Sequence, residues 1–162
     1  MPRAMFDVIA VTLFSLATIN ALLPVRAEQV IWFGSRSEDG ASLIYGTPSS
    51  GYGKIAFSCQ AGEDEVNFAY EYEPANAVDG MDVDAVLAAG SVEVAIPTTG
   101  TRLKADDVFL LEGQAKLDDA LRKLLSAGGN LTITVEDGAA EFPLEGAAEA
   151  AKHLLQVCSP DA

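Results

Sequence analysis

Ile55-Ala56-Phe57-Ser58-Cys59 places Ile55, Phe57 and Cys59 on one side of an extended chain and the small Ala56 and Ser58 on the other, because successive side chains of a strand point to opposite faces. The same two-residue period returns in Val66, Phe68, Tyr70 and Tyr72, which alternate with Asn67, Ala69, Glu71 and Glu73. That is the pattern of a half-buried strand. Ala61-Gly62-Glu63-Asp64 between the two runs reads as a hairpin loop, so the pair predicts a sheet with one buried face.

Working outward, Val30 to Phe33, centred on Trp32, and Ser42 to Tyr45 read as short strands separated by the polar turn Gly34 to Gly40. Gly46 to Gly53 is the most loop-like segment of the chain. On the other side Pro74 ends the alternation, and residues 75 to 90 read as irregular with one strand near Asp84 to Ala88. Val92, Val94 and Ile96 form a strand that Pro97 and a turn at Thr98-Thr99-Gly100 are expected to close. Arg102 to Ala105 and Val108 to Leu111 are further strand candidates around Asp106-Asp107, and Leu131 to Val135 is joined to Ala140 to Leu144 by the hairpin dipeptide Asp137-Gly138. The period changes at Leu117, Ala120, Leu121, Leu124 and Leu125, the stripe of an amphipathic helix over about 115–127. A second stripe, Ala147, Ala150, Ala151, Leu154 and Cys158, predicts a helix over about 146–158. The expected fold is α+β and mainly β: an antiparallel sandwich or half-barrel of about seven or eight short strands with two packed helices.

At the N-terminus, Arg3 precedes the mostly apolar Val8 to Leu23, and Val25-Arg26-Ala27 offers small residues at the −3 and −1 positions of a signal-peptidase site. Residues 1–27 are therefore expected to be a signal peptide, and 28–162 a single globular β-rich domain. A membrane anchor is disfavoured because Thr12, Ser15, Thr18 and Asn20 interrupt a run already short for a spanning helix. The whole chain has 24 acidic and 10 basic residues and a net charge of −14; Asp7, Arg3 and Arg26 leave with the leader, which takes the mature charge to −15. Such a surface repels nucleic acid and anionic lipid and speeds encounter with a cationic protein or binds cations loosely; the alternative is that it serves only to keep the protein soluble.

The two cysteines, Cys59 and Cys158, lie far outside any CxxC spacing, and export places them where a disulfide persists. Both point inward on pattern grounds, and a bridge across 99 residues stabilises a fold by about 4 to 5 kcal/mol on the chain-entropy account.

Catalytic and metal motifs are sparse. His153, the only histidine, sits near a helix end beside Lys152, where an imidazolium complements the helix dipole; serine triads and most zinc sites need a histidine with partners. Gly46 to Lys54 fails as a phosphate loop because Pro48 stands at its first glycine position and a strand follows it. Thr47, Pro48, Ser49, Ser50 and Tyr52 form instead a candidate interaction loop, with Tyr52 as an aromatic anchor. Asp79, Asp82 and Asp84 are weak cation candidates, since Val86 and Leu87 break the calcium-loop pattern that would start at Asp82. Asp106-Asp107 is a carboxylate pair of the kind any acidic chain contains. No cofactor is expected.

Leu43-Ile44-Tyr45-Gly46-Thr47-Pro48-Ser49, then Ile55 to Cys59, then Phe142-Pro143-Leu144-Glu145-Gly146-Ala147-Ala148 leading to Leu154 and Cys158, resemble small secreted proteins of alphaproteobacteria. Those proteins carry a YGxP turn, a strand ending in cysteine and a closing helix ending in cysteine. The resemblance spans most of the mature chain and implies a periplasmic location and a Cys59–Cys158 bridge, with no activity to carry over. The expectation is a non-catalytic, soluble periplasmic binding or protein-interaction module, and not an enzyme. The alternative is a proteinaceous inhibitor of a cationic cell-wall hydrolase such as a lysozyme. A hydrolase built on acidic residues would require two carboxylates converging in one pocket.

Overall fold

Ile55, Phe57 and Cys59 are buried while Ala56 and Ser58 between them are only half-covered, so the strand that carries them has one face in the core and one toward solvent. The computed structural model describes residues 28–159; the segment read as a signal peptide lies outside them. In chain order the strands are β1 (Ile31–Arg36), β2 (Gly40–Thr47), β3 (Tyr52–Gln60), β4 (Glu65–Glu71), β5 (Asp82–Ala89), β6 (Val92–Leu103), β7 (Val108–Lys116), β8 (Asn130–Val135) and β9 (Gly138–Pro143). Helix α1 (Asp119–Leu125) falls between β7 and β8, and α2 (Ala147–Ala150) and α3 (Lys152–Val157) close the described chain.

All nine strands pair antiparallel in one sheet of order β1-β2-β3-β4-β7-β6-β5-β8-β9. The sheet curls into a half-barrel. Its two ends meet where the Trp32 Nε1–H of β1 donates to the Pro143 carbonyl of β9 at 2.7 Å, and Phe142 of β9 stands edge-on to Tyr45 of β2 and Tyr70 of β4. This curl decides between the sandwich and the half-barrel left open by the sequence.

The concave face is the core. Helix α3 packs on β1, β2 and β3, and α1 packs on β6; their buried Leu121, Leu124, Leu125, Leu154 and Val157 meet Leu43, Phe57, Phe68, Leu87, Ile96 and Leu111 of the sheet in one cluster. Close approach needs glycine at Gly34, where an added Cβ would lie 2.1 Å from the Ala150 carbonyl oxygen of α2. Cys59 and Cys158 are bonded, with Cα atoms 5.8 Å apart, and tie α3 to β3.

Several local expectations change. The polar turn read over Gly34 to Gly40 shortens, because β1 runs on through Arg36 opposite Ala41 of β2. Thr98-Thr99-Gly100 is the middle of the 12-residue β6 and not a turn, because β5 pairs with the strand up to Thr99 while β7 takes over from Thr98. Pro97, lacking an N–H, is tolerated where β7 has not yet joined. The first helix starts at Asp119, not near 115, since Ala115 and Lys116 finish β7 opposite Val66 and Glu65; the Asp118 carboxylate caps it, accepting from the amides of Ala120 and Leu121. The C-terminal helix is interrupted at Ala151 into α2 and α3. Finally, the long Gly46 to Gly53 loop contracts to Pro48 to Gly51, because Thr47 pairs with Tyr52 across the hairpin.

Candidate functional site

Antiparallel register places the solvent-facing residues of neighbouring strands in rows across the convex face. One row is Ile44, Ala56, Ala69, Glu112, Thr99 and Asp82; the next holds Ser42, Ser58, Asn67 and Gln114, then Pro97 and Asp84. Cross-strand hydrogen bonds knit the second row: Ser42 Oγ lies 2.7 Å from Ser35 Oγ of β1, and Gln114 Nε2 donates to Asn67 Oδ1 at 3.0 Å. Ala56, Ser58 and Ala69 are short, so the sheet is left with a trough of about 500 Å³ lined also by Asn67, Gly113, Gln114, Glu112, Pro97 and Thr99. A smaller depression of about 210 Å³ adjoins it at Pro97 and Thr99 and reaches Asp82 and Asp84.

Charge on this face is one-sided. Asp82, Asp84, Glu93 and Glu112 are exposed and, among the described residues, make no ion pair. The lysines at its margins are engaged: Lys54 with Glu71 at 3.2 Å and Lys116 with Asp64 at 3.7 Å.

The sequence-nominated residues are dispersed. Thr47 is buried at the end of β2 and offers no surface. Pro48, Ser49 and Ser50 stand exposed on a turn that satisfies itself, with Ser50 Oγ donating to the Thr47 carbonyl and Ser49 Oγ to Glu28. Tyr52 is exposed on β3, and partial burial, then the adjacent Glu71 carboxylate, push its hydroxyl up to about 12. Asp79 is separated from Asp82 and Asp84 in role: its carboxylate accepts from the Arg102 amide at 2.7 Å, whereas the other two share the outer face of β5. No group of three or more His, Cys, Asp or Glu among the described residues is placed to hold a metal ion. His153 is exposed on α3. Asp106 and Asp107 are exposed on the β6–β7 turn, where Asp107 pairs with Arg102 at 3.1 Å.

Two further features went unread in the sequence. The Asp137 carboxylate, on the β8–β9 turn, accepts from the Ala75 amide at 2.6 Å and from the Tyr72 hydroxyl at 3.0 Å, which pins the end of β4 and the chain after it. The trough itself was missed because attention to the core-facing set, Phe57 and Phe68, passes over its alternate partners. The available signal was Ala56 and Ala69 at solvent-facing strand positions, where β-branched or long polar residues are usual.

No family model matches the chain, nor does any curated protein or solved structure.

Proposed function

We propose that the chain is a non-catalytic periplasmic interaction module whose partner is a cationic protein. The observation that carries this reading is the convex sheet face, where Asp82, Asp84, Glu93 and Glu112 stand exposed without a cation among the described residues to match them. Unmatched carboxylates on a rigid sheet raise the local concentration of a basic partner and speed its association. Residues 1–27 act as the signal peptide in this reading, and the disulfide suits the oxidising compartment to which they lead.

A second reading makes the partner a cationic cell-wall hydrolase such as a lysozyme, and the chain its inhibitor. The exposed Pro48 to Gly51 turn beside the exposed Tyr52 favours it, since a protruding turn with an aromatic neighbour is suited to entering an active-site cleft.

The test is capture from periplasmic extract on immobilised, oxidised residues 28–162 at low and high salt, with the retained proteins identified by mass and assayed for lytic activity. Retention of a basic protein that salt releases supports the first reading, and loss of that protein's lytic activity on binding supports the second. Retention of only neutral or acidic proteins, insensitive to salt, contradicts both.

A further inference from the structure

We propose that the trough across β3, β4, β7, β6 and β5 is the docking groove for an extended lysine- or arginine-bearing segment of the partner, an inference that rests on the cationic-partner reading above. The two depressions share Pro97 and Thr99 and so lie end to end across the strands. Crossing five strands at about 4.8 Å spacing gives a length of about 19 Å, which about six residues of extended chain span.

The floor and walls match such an occupant. Ala56 and Ala69, with nothing beyond Cβ, keep the floor low. Gln114 spends one N–H of its side-chain amide on Asn67 Oδ1, which leaves the Gln114 carbonyl as an acceptor and the Asn67 NH2 as a donor group, able to meet both sides of a peptide group. Glu112 stands beside the floor, and Asp82 and Asp84 stand at the far end.

Charge fixes the kind of occupant. No lysine or arginine lines either depression, so phosphate-bearing or acidic ligands are repelled and a cationic side chain meets carboxylates on both sides of the Pro97–Thr99 step. The strands beneath already have partners on both sides, so the segment lies across them and is held by side chains, not by strand addition.

The test measures binding of a fluorescent hexapeptide alternating lysine and alanine to residues 28–162 at physiological salt. Three variants are compared with the parent: the charge reversal Asp84→Lys/Glu112→Lys, the steric block Ala69→Trp, and the distant control Glu38→Lys/Asp39→Lys on the β1–β2 turn. Circular dichroism confirms that each is folded. The expected result is a loss of about tenfold or more for the charge reversal and for Ala69→Trp, which changes no charge, against a small loss for the control. Equal losses in the two charge variants with Ala69→Trp unaffected overturn the groove while leaving a cation-binding surface in place. A parent that binds no cationic peptide even at low salt overturns the cationic-partner reading as well.

Discussion

At the scale of single residues, Asp137 is the clearest coupling of charge to fold. Donation from the Ala75 amide, then from the Tyr72 hydroxyl, holds its carboxyl below the usual carboxylate range. A depressed native pKa contributes stability that is present above the unfolded-state value of about 3.9 and is lost as pH falls through the native value. Asp137→Ala is therefore expected to lower Tm by a few degrees at pH 7, with the gap from the parent closing as melts are repeated at progressively more acid pH. Tyr70 works in the opposite range: burial, then the neighbouring Tyr72 and Glu71, raise it to about 12. Its contribution is intact below pH 10 and is lost as pH rises toward 12, so an ultraviolet titration should show tyrosine ionising late and together with unfolding. In the core, Phe57 is fully buried against Phe68; Phe57→Ala is expected to cost about 3 to 5 kcal/mol in a urea titration.

At the scale of elements, the contact of α2 and α3 with the sheet has two supports that can be removed separately. Gly34→Ala forces a methyl group against the Ala150 carbonyl and is expected to cost about 1 to 3 kcal/mol by denaturant unfolding. Replacing both cysteines with serine removes a bridge across 99 residues and is expected to cost about 4 to 5 kcal/mol on the chain-entropy account. Hydrogen exchange should then rise first in 147–158, because α3 loses its covalent tie while the sheet keeps its ladders. The elements also mark where sequence reading succeeds and fails. The strands around Phe57 and Phe68 were legible because a strict two-residue period needs no knowledge of neighbours. β6 was misread as ending at Pro97 because its continuation depends on β7 arriving from later in the chain. The same is true of Ala115 and Lys116, which local periodicity assigns to a helix and β4 claims for the sheet.

At the scale of the whole molecule, curl and charge act together. Closing β9 toward β1 buries the concave face around α1 and α3, which leaves the convex face as the broad surface of the sheet open to a partner. The chain's acidity was plain from composition, yet its focus was not, because Asp82, Asp84 and Glu112 come together only through the β5–β6–β7 register. The loop residues nominated from sequence sit at one end of the molecule, with Thr47 inside it. The central claim is that a basic partner docks on the convex face, and backbone amide chemical-shift mapping tests it most directly: a cationic lysozyme is titrated into isotope-labelled, oxidised residues 28–162. Salt-sensitive shifts are expected to concentrate at Ala56, Asn67, Ala69, Asp84, Thr99, Glu112 and Gln114. Shifts confined to Pro48 to Tyr52, or none at a salt low enough for electrostatic attraction to act, would contradict it.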